Sequence, residues 1–442
     1  MTRRQPERIL IAGGGVAAVE AVAALRALAG PIPQITLLAP QTKMAQRPAS
    51  VGAPFGFGAP GPLPLDEIAR RAPFELRVGS LAEVDPGSCE VRTAWGESIA
   101  YDTLVVAVGA QPRPAVEGAI TFTGPAEAAK VADAVENADR IAFVQPSASA
   151  WSLPVYELAI MAAVQHPGAK ITIVTAETAP LWVFGEEAGA AVRKLLADRR
   201  ISLRTATRAV AARAGRLELG GGDSIPADAV VALPRITGPG IAGLPQDADG
   251  FIPVDAHGLV RGLADVFAAG DATAFPLKQG GLATQQADAV AEAIAARLGA
   301  PVVAEPFRPV LRGLLLTGGA PLYLRAQLGD EGIARRLPVT AVSRRALWWP
   351  PTKVAGRYLA PLLATARPPA LASAPLEDLP ERPPSEDAED ALELTLLLAE
   401  QDAAVGDFKQ AVHALDAAAA LTGGVLPAPW SQRRQAWLAG HA

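Results

Sequence analysis

Residues 8–20, Arg8-Ile-Leu-Ile-Ala-Gly-Gly-Gly-Val-Ala-Ala-Val-Glu20, decide the fold. The run Arg8 to Ala12 is apolar and β-prone, as a strand covered on both faces must be. Gly13 permits a tight turn, Gly15 allows close backbone approach to a pyrophosphate, and the small Ala18 lets the next helix pack on the strand. A helix from Val16 to Leu28 then points its positive end, with the backbone of Val16, Ala17 and Ala18, at the phosphates. Far downstream, Asp265-Val-Phe-Ala-Ala-Gly-Asp271 reads as a short strand ending in Gly270-Asp271. The two segments together describe a dinucleotide held along its length. One part is missing. The second strand, Gln34 to Ala39, ends in Ala39-Pro40 where an acid for the adenosine ribose is expected, so the ribose needs another partner or backbone groups.

With Tyr101-Asp-Thr-Leu-Val-Val-Ala-Val-Gly-Ala110 between them, these segments resemble the two-dinucleotide-domain flavoproteins, the pyridine nucleotide-disulfide oxidoreductase superfamily. The likeness spans roughly residues 7 to 365. It implies FAD as cofactor. Asp271 would bond the flavin ribityl chain, and Gly109 would lie in the strand-to-domain crossover. Within the superfamily the chain is most similar to sulfide:quinone and type II NADH:quinone oxidoreductases. Pro154-Val-Tyr-Glu-Leu-Ala159 resembles the Pro-x-Tyr-Glu-x-Ala stretch of the sulfide enzymes. Leu282-Ala-Thr-Gln-Gln-Ala287 is similar to the Ala-Gln-x-Ala-x-Gln stretch of the NADH enzymes. Arg47-Pro48 resembles the Arg-Pro beside the cofactor in such flavoproteins; the alternative is a solvated loop arginine.

Composition narrows the chemistry. The single Cys89 excludes a dithiol/disulfide cycle within one chain and argues against sulfide oxidation, which uses cysteines in the enzymes the chain resembles. Cys89 itself reads as part of a hairpin on a small β-meander. Four scattered histidines without a Cys cluster offer no metal-ligand spacing. A net charge of −5 leaves no nucleic-acid footprint. No uncharged apolar run of about 18 residues marks a membrane span. The N-terminus enters a strand without a signal peptide, so a cytoplasmic protein is expected, with peripheral contact at the inner face of the membrane as an option.

The 442 residues suffice for two or three cores. The expected fold is α/β, with two Rossmann-like domains on parallel sheets, a C-terminal interface region and a helical-hairpin tail. The FAD-binding domain takes residues 1–122 and resumes at 245–305. An NAD(P)-binding-like domain is inserted at 123–244, with Arg140 to Val144 and Lys170 to Val174 as parallel strands. Residues 306–366 form the interface region, 367–389 a Pro-rich charged linker, and 390–442 the tail. The Gly/Pro-rich stretch Ala49 to Pro64 reads as irregular, and a helix is expected from Thr284 to Leu298.

The inserted domain is ambiguous. After Val144, Gln145-Pro-Ser-Ala-Ser-Ala-Trp-Ser-Leu-Pro154 lacks the glycine a pyrophosphate site wants. Ser147, Ser149 and Ser152 nevertheless carry hydroxyls, a helix start follows at Pro154, and Glu177 could take an adenosine ribose. A working NAD(P)H site and a closed relic both remain open. Near the flavin, Lys278 could stabilise the anionic reduced ring, and Gln285 and Gln286 could donate to a quinone carbonyl. An exposed lysine and ordinary helix residues are the plain alternatives. Trp348-Trp349, followed by Lys353, Arg357 and Tyr358, could anchor at a membrane interface or cover the FAD domain or a dimer interface. In the tail, Ala399, Gly406, Phe408, Ala411, Leu415 and Ala418 are spaced like one tetratricopeptide repeat. A single repeat cannot bury its own face, so it should dock on the body, a second copy or a partner protein. The expected activity is electron transfer from NAD(P)H through FAD to a quinone or other small acceptor. The alternatives are a donor other than NAD(P)H, or a flavin-bound scaffold.

Overall fold

The computed structural model describes residues 6–57, 61–148, 150–328, 338–354, 356–364 and 389–439. The first sheet is wholly parallel, in the order Val266–Ala268, Thr103–Val106, Arg8–Ala12, Gln34–Ala39, Glu75–Val78. The two segments that the sequence pairs therefore lie in one sheet, a single strand apart. Ile9 to Ala12 are fully buried, which explains a strand apolar on both faces. Helix α1 (Val16–Ala29) follows directly.

The inserted domain is a second parallel sheet: Ile120–Thr121, Ala229–Ala232, Arg140–Gln145, Lys170–Thr175, Ser202–Arg204. Helix α2 (Leu153–Gln165) packs on it. Its first strand precedes the boundary expected at residue 123. A two-residue strand carries too short an apolar run to be read from sequence. Gln111–Arg113 pairs antiparallel with Arg235–Thr237, so the outgoing and returning crossovers form one ribbon. Cys89 lies on the three-stranded antiparallel meander of the first domain, as expected.

Helix α3 (Gly280–Arg297) begins before Thr284, because the Gln279 side chain caps it by accepting from the Leu282 N–H at 2.7 Å. Its alanines pack on those of α1. The stretch after Arg47 is not wholly irregular: Arg47–Phe55 forms a 3-10 helix, opened by Pro48 and closed by Gly56 at φ +69°.

The C-terminal region is an antiparallel sheet of Leu311–Leu315, Leu322–Leu328 and Pro338–Ser343. It packs on the inserted domain of its own chain, where Leu311, Leu315 and Leu324 share a core with Leu153 and Phe184. The buried pair Lys353 Nζ–Glu157 Oε2 (2.6 Å) fastens it to α2. Trp348 is also spent here. It is buried, lies edge-on to Tyr323 at 5.2 Å, and donates its indole N–H to Thr352 O. Trp348 therefore offers no free indole face to a membrane, and it packs within the C-terminal region itself, against Leu314, Tyr323 and Leu347, rather than over the FAD domain. Among the described residues no helix is long and apolar enough to cross a membrane. Short helix α4 (Leu359–Leu363) is held by Glu20 of α1, which accepts from the backbone N–H groups of Tyr358 and Leu359.

The expected linker lies outside the described residues up to 388. The tail is α5 (Glu389–Ala404), α6 (Phe408–Leu421) and a third, unanticipated helix α7 (Trp430–Leu438). Trp430 and Trp437 of α7 pack on the small-residue seam Ala399, Ala414 and Leu415. The hairpin docks on the body. Leu394 and Leu398 join the inserted domain's core, and Ala417 meets Phe251 and Ala274 of the first domain.

Candidate active site

At the glycine turn, Gly13 has φ +135°, and an added Cβ would lie 2.2 Å from Ala107 O, so no other residue fits. The first helical bond of α1 runs from Val19 N–H to Gly15 O. The N–H groups of Val16, Ala17 and Ala18 therefore have no partner within the helix. A Cβ at Gly15 would meet nothing within 4 Å, so the space over this helix end is open. Ala39, where an acid is expected, is buried and lies under the turn, 3.0 Å from the Cβ position of Gly14. Gly109 has φ +76° with open space beside it.

The second anchor is the Gly270-Asp271 turn. Gly270 (φ +75°) fits between Ala17 of α1 and Ala283 of α3. Gln286 Oε1 accepts from its N–H at 2.7 Å and from the Thr273 hydroxyl at 3.3 Å. Gln285 ties α3 to the C-terminal sheet: its amide donates to Gly281 O and Val310 O and accepts from Val310 N–H. The Gln285 amide is thus spent on backbone partners rather than left for a quinone carbonyl as expected, while the Gln286 oxygen is held by Gly270 and Thr273.

Asp271 differs. Burial pushes its carboxyl above the usual range, against the pull of Lys278 and Arg47. Among the described residues no group hydrogen-bonds it. A water-poor acceptor left without a partner suits a sugar-chain hydroxyl, so the residues present fit a bound FAD. Lys278 is tethered nearby: Nζ donates to Thr273 O and Phe275 O, both at 2.6 Å, and stands 3.8 Å over the Phe251 ring. Burial pushes this ammonium down to about 7, against the attraction of Asp271 and Asp247. Arg47, Asp271 and Lys278 line one cavity of about 580 Å³ with apolar walls that include Val51, Phe122 and Trp151.

The nicotinamide-side residues are placed otherwise than expected. Ser147 lines the same cavity, but its hydroxyl donates to Asp402 Oδ1 of α5 at 3.1 Å. Ser149 lies outside the described residues. Glu177 points into the inserted domain, where it accepts from Tyr156 (2.6 Å), Ser152 (2.7 Å) and Thr175 (3.2 Å). Burial pushes it up to about 7. It is not presented to a ribose, because strand and helix close over it. Next to it, the Thr178 hydroxyl donates to Gln401 Oε1 of the tail. The tail thus lies over the loop expected to take a nucleotide. From α6 it also supplies Lys409, Gln410 and His413 to the cavity wall. The sequence marks none of these as functional; a lone histidine in an Ala-rich helix is the only sign. No group of three or more His, Cys, Asp or Glu that could hold a metal occurs among the described residues.

A family model described as pyridine nucleotide-disulphide oxidoreductase matches residues 7–295. No curated protein sequence matches. Among solved structures, the sulfide:quinone oxidoreductase of Aquifex aeolicus is 21% identical, with 76% of this chain and 87% of that one covered at a TM-score of 0.67. A ferredoxin reductase from Rhodopseudomonas palustris is 19% identical (74% and 84% covered, TM-score 0.58). Putidaredoxin reductase, in complex with putidaredoxin, is 18% identical (77% and 91% covered, TM-score 0.59). At these identities the structures establish a shared fold.

Proposed function

The chain belongs to the pyridine nucleotide-disulphide oxidoreductase family and is an FAD-dependent oxidoreductase; from that premise we propose that a small planar acceptor of quinone type meets the flavin in the cavity beside Asp271 and Lys278. The observation that carries this reading is the Asp271 carboxylate, which no group among the described residues hydrogen-bonds. It opens, with Arg47 and Lys278, on a cavity walled by apolar side chains such as Val51, Phe122 and Trp151 together with polar ones, among them Gln279, Lys409 and His413. Bound FAD would supply the two-electron chemistry. Asp271 and the free N–H groups of Val16, Ala17 and Ala18 would hold its sugar chain and phosphates. Lys278 would favour negative charge on the ring. With one cysteine, no redox disulfide takes part within the chain.

NAD(P)H is the donor that family membership suggests. A second reading, a donor other than NAD(P)H, is supported by the placement of Ser147 against Asp402 and of Glu177 inside its domain. Anaerobic stopped-flow mixing of the yellow protein with NADH and then NADPH separates the two. Rapid bleaching of the flavin supports nicotinamide as donor. A flavin that dithionite reduces but neither nucleotide does would reject it. The scaffold alternative loses its main support, because the hairpin's apolar face is covered by the chain's own body.

A further inference from the structure

Resting on the reading of a quinone-type acceptor, we propose that His413, delivered by the tail and oriented by Asp247, donates a proton to the substrate that meets the flavin. His413 lines the cavity that Asp271 and Lys278 also line, and it is the one imidazole among the described lining residues. It is 8% exposed, so its contact with bulk water is small. Nδ1 stands 3.1 Å from Asp247 Oδ2. That carboxylate is itself fixed, since Oδ1 accepts from the backbone N–H groups of Asp249 (2.9 Å) and Phe251 (3.0 Å). With Nδ1 facing a carboxylate, Nε2 is the nitrogen left for chemistry, and among the described residues nothing hydrogen-bonds it.

The other charges around His413 are already engaged. Lys409 and Arg235 both pair with Asp249, Asp407 caps α6, and Lys278 bonds carbonyls while attracting Asp247 and Asp271. The Phe251 ring links the two sides of the site. His413 lies 5.1 Å from it and Lys278 3.8 Å over it. Lys278 is attracted by both Asp271 and Asp247, and the Phe251 ring separates it from His413.

A quinone becomes a neutral hydroquinone by gaining two electrons and two protons. Bound FAD in its reduced form would supply the two electrons and one of those protons. The second proton comes from the His413 imidazolium, which returns to imidazole and is reprotonated from solvent. Asp247 stays an anion throughout and steadies the cationic form.

The test uses the full-length, FAD-loaded protein and its His413→Gln and Asp247→Asn variants. The first readout is the difference in midpoint potential of the bound flavin between wild type and His413→Gln, followed from pH 5 to 9. The difference changes with pH, because glutamine takes up no proton in place of the imidazole, and Asp247→Asn, which removes the carboxylate facing Nδ1, alters that dependence. The second readout is anaerobic reoxidation of dithionite-reduced enzyme by menadione, in which His413→Gln is at least tenfold slower at pH 6. A pH-independent difference and an unchanged rate in His413→Gln, with melting temperature preserved, overturn the proposal. If wild type fails to reduce menadione, the quinone reading falls and the potentials alone decide the role of His413.

Discussion

Asp271 holds an unpartnered carboxylate in a water-poor wall because its neighbours leave it no choice. Gly270 takes a positive φ between two alanines, Gln286 pins the turn, and Lys278 and Arg47 supply compensating charge. Replacing Asp271 with Ala removes a buried hydrogen-bonding carboxyl, a loss of about 1–3 kcal/mol. FAD should then be retained roughly ten- to a hundredfold less tightly, read as free flavin fluorescence after dilution or ultrafiltration. Full flavin occupancy in that variant would remove Asp271 from the cofactor site. Gly13 and the Gly270-Asp271 turn were legible because their spacing obeys local backbone rules. Gln285 and Gln286 were not, since their partners at Val310 and Gly270 are set by how α3 lies on the molecule.

At the scale of elements, α1, α3 and α4 meet over two buried acids. Glu20 receives the start of α4, and a Cβ at Gly356 would lie 2.1 Å from its Oε2, so any larger residue there must displace the Glu20 carboxylate. Asp288 of α3 stands beside Glu20, and burial with that neighbouring charge pushes it up to about 9. Asp288 thus carries a proton at neutral pH and donates to Glu20. The sign of the effect follows. A carboxyl raised from 3.8 to about 9 adds stability that is complete below pH 3.8 and is lost as pH rises through about 9. Wild-type stability should decline across this range, by up to ~1.4 kcal/mol per pH unit for one proton. In Asp288→Asn the amide can donate to Glu20 at every pH, so melting temperatures at pH 6 and pH 8.5 should draw together. An equal drop in both proteins would show that the pair does not control the slope. The sequence shows α1 and α3 as helices through their composition and glycine turn. The acid pair and the earlier start of α3 needed the tertiary structure, because one depends on helix crossing and the other on the Gln279 side-chain cap ahead of two glycines.

At the scale of the molecule, the tail straddles both nucleotide-type domains. Asp402 and Gln401 reach Ser147 and Thr178 of one, while Lys409 and His413 reach Asp249 and Asp247 of the other. Lys409→Glu places like charges face to face at Asp249 and should loosen the hairpin. Proteolysis within α5 and α6 should quicken several-fold, while the flavin stays bound. Unchanged proteolysis would mean that the apolar contacts at Leu394, Leu398 and Ala417 hold the tail alone. From sequence alone came two parallel sheets, the glycine turn between Ala12 and Val16, and the exclusion of a disulfide cycle. Each rests on local periodicity, on glycine geometry or on a residue count, none of which depends on distant contacts. Tertiary structure decided that the loop after Val144 in the inserted domain meets the tail, that Glu177 faces inward, and that a histidine far along the chain lines the cavity of Asp271 and Lys278. Those outcomes are set by where a docked hairpin brings Asp402 to Ser147 and His413 to Asp247, and no local pattern in the chain encodes that distance.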